Sequence, residues 1–176
     1  MARLVFAMNL SLDGFVDHDR FAPDPALFRH WIDHMRAVAG SLYGRKLYEL
    51  MRYWDEDQPG WSEDERAFAS AYRDTPKWVV SNTLDSVGPN ASLIRGDVVP
   101  AVRALKAEHP GEIDMGGVDL ARRLGEAGLI DEYRLYYHPV VLGHGTPFFA
   151  GATPALRLTG CDRIGLATAR LTYVPA

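Results

Sequence analysis

The chain has 176 residues, 47% of them hydrophobic, which is enough for one full core and too little for two independent domains. Nineteen Lys and Arg against 23 Asp and Glu leave a formal charge of −4, which excludes the global basic field of a nucleic-acid binder. Cys161 is the only cysteine, so an internal disulfide and a cysteine-based zinc cluster are excluded; the opening MARLVFAMNL is short for a signal peptide, and no run approaches the roughly 20 apolar residues of a membrane span. A cytoplasmic protein with no membrane or nucleic-acid partner is therefore expected.

Arg3 to Leu10 is apolar almost throughout, as in a central strand covered on both faces. Asp13-Gly14 marks a turn, and the polar stretch onward to Pro25 reads as a long loop of the kind that covers a site. Asp24 caps a helix that opens with Pro25 and gathers Leu27, Phe28, Trp31, Ile32 and Met35 on one face. Ser41 to Tyr43 predicts a short strand, Gly44 a turn, and RKLYELMRYW a helix with Leu47, Leu50, Met51 and Trp54 as its buried stripe. Ser62 and Glu65 have the spacing of a capping box for a helix reaching about Tyr72. Trp78 to Ser81 and Leu93 to Arg95 read as strands. Asp97 then caps a helix with Val98, Val102 and Leu105 inward, and Pro100 sits harmlessly in its first turn.

Ile113 to Met115 ends a strand at Gly116-Gly117, and an amphipathic helix and a further strand follow. Ala155 to Thr159 and Leu166 to Val174 close the chain, the second alternating strictly, as an exposed antiparallel edge does. Strands alternating with helices and finished by an antiparallel pair predict a single α/β domain over residues 1–176, with a mixed, mostly parallel sheet and helices on both faces.

Three strand ends carry glycine-rich or polar turns: Gly44-Arg45-Lys46, Ser81-Asn82-Thr83 and Gly116-Gly117-Val118-Asp119. In α/β sheets ligands collect at such carboxyl ends, where helix N-termini offer unpaired N–H groups and a positive dipole end to phosphate. Arg45 and Lys46 add charge, and the hydroxyls of Ser81 and Thr83 suit phosphate or ribose. No phosphate-loop, G-x-G-x-x-G or G-x-S-x-G fingerprint is present. His30 and His34 share a helix face at i, i+4, but HWIDH lacks the zincin glutamate, and no metal is expected. Hydride transfer suits a site with no triad, because a nicotinamide carries the chemistry and the protein holds, orients and excludes water.

Taken together, MNLSLDGFVD, YGRKLYE, VVSNT and GGVDLARRL with DEYRLYYHPVVLGHGTPFF resemble the dihydrofolate reductase-like superfamily. Within it the chain is similar to the riboflavin-biosynthesis reductases, the RibD C-terminal domain family, as a stand-alone member without the deaminase domain. The resemblance runs from about Arg3 to Val174 and implies a three-layer fold, NADPH as hydride donor and a pterin-, pyrimidine- or flavin-precursor-like substrate. By the same resemblance Gly44, Arg45 and Lys46 meet the cofactor phosphates, and Ser81, Asn82 and Thr83 lie near the adenosine 2′-phosphate. Gly116, Gly117, Val118, Asp119 and Leu120 lie beneath the pyrophosphate and nicotinamide, across a glycine pair that is often cis in this superfamily. Asn9, Asp13 and Gly14 face the substrate, with Asp13 a candidate polar anchor or proton relay, or simply a turn former. The chain departs from the pattern at Leu47, where a threonine is common, and near Leu27, where dihydrofolate reductases place an acid. Dihydrofolate itself is thus a poor substrate.

A non-catalytic nucleotide- or heterocycle-binding module would use the same residues, and Phe15, Trp31 and Phe148 filling the substrate space would favour it. Tyr137 and His138 face either the site or a partner. A homodimer, with Tyr133 to Leu142 and the edge strands pairing between chains, is compatible with either activity.

Overall fold

A computed structural model describes residues 1–21 and 24–176; Ala22 and Pro23, inside the loop expected before Pro25, lie outside the described residues. One eight-stranded sheet is built from β1 (Arg3–Leu10), β2 (Gly40–Gly44), β3 (Lys77–Val80), β4 (Ala91–Ile94), β5 (Glu112–Gly116), β6 (Glu132–Tyr137), β7 (Leu156–Ile164) and β8 (Thr168–Pro175). The spatial order is β4-β3-β2-β5-β1-β6-β8-β7. The first six strands in that order run parallel, and β8 and β7 are antiparallel additions. The fold class expected from the alternation of elements is the one observed.

β1 sits between β5 and β6 and is covered on both faces, which accounts for its unbroken apolar run. Leu4, Phe6 and Leu10 turn to one face, where they meet helices α4 (Val98–Glu108) and α5 (Val118–Glu126) through Val98, Val102, Leu120 and Leu124. Val5 and Ala7 turn to the other, against Leu27 of α1 (Pro25–Ala37). On that second face Ile32 and Met35 of α1 pack with Phe68, Ala71 and Tyr72 of α3 (Glu63–Asp74). Asp24 accepts from the amides of Ala26 and Leu27 at 2.9 Å, and the Ser62–Glu65 capping box closes in both directions. Among the described residues no helix is long and apolar enough to cross a membrane.

Several expectations are corrected. Helix α2 (Arg45–Met51) stops short, and a 3₁₀ turn carries Arg52–Trp54. The 3.6-residue stripe is therefore broken: Leu50 is 52% exposed, and Tyr48 is buried in its place, its hydroxyl accepting from Gly88 N at 2.7 Å. The tighter turn presents Trp54 to Trp61 and Phe68. β3 starts at Lys77, whose buried Nζ donates to the carbonyls of Tyr72 and Thr75 and thereby closes the end of α3; burial pushes its pKa down to about 8. The strictly alternating strand is not the edge. β8 lies between β6 and β7, Leu166 is in the connecting turn, and β7 forms the free margin. β6 ends at Tyr137 and has both of its edges taken by β1 and β8, so residues 133–137 cannot pair with a second chain.

Gly40 opens β2 where a Cβ would run into the Trp78 ring and lie 2.9 Å from the Pro76 carbonyl oxygen. Gly40→Ala should lower the unfolding free energy by about 1–3 kcal/mol, the usual cost of overpacking; urea denaturation measures it, and an unchanged midpoint would contradict the contact.

Candidate functional site

β3, β2, β5, β1 and β6 are consecutive and parallel, so their following turns emerge along one edge of the sheet. The register sets Gly44 beside Val80 and Tyr43 beside Gly116, which brings the three turns read from the sequence side by side. Gly117 adopts φ 108°, a conformation open to glycine, and a Cβ there would stand 3.4 Å from Gly44 N and 3.5 Å from Gly44 Cα. The two turns therefore touch through bare backbone. Gly117 caps α5 without a side-chain bond, so the first amides of that helix have no side-chain partner at the cap. The Gly116–Gly117 peptide is trans, unlike the cis form frequent in the superfamily.

The surrounding side chains divide by task. Arg45 Nη1 donates to Thr83 Oγ1 at 2.6 Å and its Nε to Glu49 Oε1 at 2.9 Å, so the β2 turn is bridged to the β3 turn; Lys46 is exposed. Ser81 Oγ accepts from the amides of Thr83 and Leu84, and Asn82 Oδ1 accepts from Gly96 N at 2.8 Å. These two shape the turn itself. Leu120 is buried against the core and touches Gly44, Val118 is half-buried, and Asp119 is exposed in the first turn, where it complements the helix dipole. Leu47 fills the space in front of Gly116, where a Cβ on Gly116 would meet its side chain.

Asp13 has a role that spacing alone did not show. Its Oδ1 accepts from Leu142 N at 3.1 Å and its Oδ2 from Gly143 N at 2.7 Å. The Ser11 hydroxyl, with those two amides, holds its carboxyl down at about 2. Through these two amide bonds Asp13 clamps the turn after β1 to residues 142–143. Asp17 repeats the device by accepting from Thr146 N at 2.7 Å, and backbone bonds Leu12 N to Val140 O, Val16 N to Thr146 O and Phe148 N to Gly14 O complete the zipper. Gly14, at φ 87°, thus makes a turn whose carbonyl ties the loops together.

Asn9 faces α1 with its Oδ1 3.0 Å from His138 Nε2. His138 is buried, stacks on Phe21 at 4.9 Å, and has its pKa lowered by burial, so a neutral ring donates to Asn9. One step below Gly116 on the same face lies a polar seam absent from the sequence reading. Asp114 is the register partner of Ser41, and its Oδ1 lies 3.2 Å from His34 Nε2. His34 Nε2, Asp114 Oδ1, Ser41 Oγ, Trp31 Nε1 and Tyr72 Oη are buried without an aligned hydrogen-bond partner among the described residues. The two helix histidines do not converge: His30 Nε2 bonds Tyr136 Oη at 2.9 Å, while His34 faces the acid.

These two rings make opposite predictions with pH. Burial alone would lower the pKa of His34, but Asp114 and Glu112 more than reverse that and raise it above 6.5. Its stabilisation is full below 6.5 and is lost as pH rises through the native value. Burial pushes His30 down to about 4, so its contribution is lost as pH falls from 6.5 toward 4. In urea unfolding across pH, His34→Gln should flatten the alkaline decline and His30→Gln the acid one. For the clamp, Asp13→Asn should speed hydrogen exchange at the Leu142 and Gly143 amides, and unchanged protection there would refute it.

A family model described as the RibD C-terminal domain matches residues 2–168. The chain is 30% identical over 165 residues to the uncharacterized protein YyaP of Bacillus subtilis, covering 89% of this chain and 85% of YyaP. Its fold matches a Shewanella sp. PV-4 protein named for riboflavin biosynthesis with TM-score 0.73, 23% identity and coverage of 100% and 99% of the two chains. Enterococcus faecalis dihydrofolate reductase, solved with NADP(H), matches with TM-score 0.61, 15% identity and coverage of 98% and 96%. The family match over nearly the whole chain, on a sheet whose glycine turns meet at one edge, shows that this chain belongs to the RibD C-terminal domain family.

Proposed function

We propose that the chain is an NADPH-dependent reductase that transfers hydride to a small heterocyclic substrate of the pterin, pyrimidine or flavin-precursor class. The observation that carries this reading is the contact of Gly44 with Gly117, which leaves a side-chain-free floor at the start of α5. A pyrophosphate fits such a floor, since backbone amides reach it and no Cβ stands in the way. Arg45, Lys46 and Thr83 flank the floor and would hold the additional phosphate that distinguishes NADPH from NADH. The Asp119 carboxylate points to the solvent side of the same turn.

The nicotinamide, when bound, supplies the hydride. The chain's own residues position and enclose. Asn9, oriented by His138, offers its amide at the end of β1, and the Asp13 and Asp17 clamps hold the two loops that border that strand end. Of the three aromatic residues whose packing bears on substrate space, Phe148 is stacked on Phe6 in the core of the opposite face, and Phe15 pairs with Pro147. Trp31 packs on Tyr136 and forms a wall on the α1 side.

Titration of NADPH fluorescence tests the reading. Wild-type protein should bind saturably, and Arg45→Ala and Lys46→Ala should each weaken binding by roughly 10-fold or more, since a charge-assisted hydrogen bond contributes about 1.5–3 kcal/mol. Absence of saturable binding by the wild type would overturn the cofactor assignment. Saturable binding with no oxidation in the presence of pterin, pyrimidine and flavin-precursor panels would favour a binding module.

A further inference from the structure

On the sheet face opposite α1, a cavity of about 240 Å³ opens between the second half of α5, the start of β6 and residues 149–154. Its floor is aromatic: Phe148 stacks on Phe6 at 4.5 Å, Phe149 meets Phe148 edge-on at 4.8 Å, and Tyr133 lies edge-on to Phe6 at 6.3 Å. Tyr133 lines the cavity, and its hydroxyl makes no hydrogen bond to any described residue and is not among the buried unpartnered atoms, so it is open to a partner from the cavity side. Gly125 keeps that hydroxyl clear, because a Cβ at this position would stand 3.0 Å from Tyr133 Oη. The facing loop turns away through Ala150 at φ 47° and Gly151 at φ 83°. At the rim Arg122 and Glu126 neutralise one another at 2.8 Å.

We propose that this cavity is a second small-molecule site, for an uncharged aromatic ring carrying one hydrogen-bonding oxygen, which packs on Phe149 above the Phe6–Phe148 stack and accepts from the Tyr133 hydroxyl. Phe149, half-buried at the cavity, offers a ring an edge-to-face contact. The volume is below the roughly 300 Å³ of a drug-sized cleft and suits one or two rings. The paired rim charges offer no net attraction to an ion. Burial raises the pKa of Tyr133, so the phenol stays a donor through neutral pH. The site lies along the same helix whose first turn borders Gly117, and it is separate from the strand-end edge that the cofactor would use.

4-Fluorophenol is the probe, observed by fluorine NMR on the full chain. The wild type should give saturable broadening at millimolar probe. Gly125→Ala should abolish it, with circular dichroism showing that variant to be folded, and Tyr133→Phe should weaken binding at least fivefold. No saturable binding by the wild type, or equal binding by all three proteins, overturns the proposal. Nicotinamide cofactor is absent from this experiment, so its outcome is independent of the reductase reading.

Discussion

The close approach of Gly44 to Gly117 is the constraint on which the edge of the sheet depends. Parallel pairing of β2 with β5 carries both strands to the same level, and the turns leaving them lie side by side, with glycine demanded at 117 by its positive φ. Everything proposed for phosphate follows from that bare surface, because amides and a helix end become reachable there without any catalytic side chain. Arg45 extends the arrangement sideways by bonding Thr83, so adjacent turns from β2 and β3 are tied into one border.

A second constraint acts on the loops. The aspartates at 13 and 17 are each consumed by backbone amides about 130 positions away in sequence. Two long polar segments, each costly to order alone, are ordered against one another. Each carboxylate accepts backbone N–H from the other segment, and Asp13 is thereby held ionised. The loops bordering the end of β1 are thus fixed by each other's backbone, which suits the proposed cofactor, whose reactivity is its own.

The seam beneath α1 shows the opposite economy. Ser41, Asp114, His34 and Trp31 put polar atoms into a buried layer without aligned partners among the described residues, although about 1–3 kcal/mol for each such atom is a typical penalty. The ionised His34–Asp114 attraction offsets part of that cost only while the ring holds its proton. The anchoring of the last turns of α1 on the sheet is therefore coupled to pH, whereas the first turn, capped by Asp24, is not coupled to the same pair.

Local patterns determined a great deal. The apolar run of β1, the caps at Asp24, Ser62 and Asp97, and the glycine turns after β2 and β5 are short-range features with short-range causes, and they were readable with the α/β class they imply. The stripe of α2 and the place of β8 were not, because a 3₁₀ turn and a neighbouring strand override periodicity. The role of Asp13, the separation of His30 from His34 and the meeting of Asp114 with Ser41 depend on pairings between distant segments. A side chain's residue type limits what it can do, but its partner sets its charge and direction. Composition and spacing therefore determined that this chain would bring glycine-bearing turns to a sheet edge; only tertiary packing decided which carboxylates clamp, which histidine pairs with acid, and which glycine stands beside the cavity.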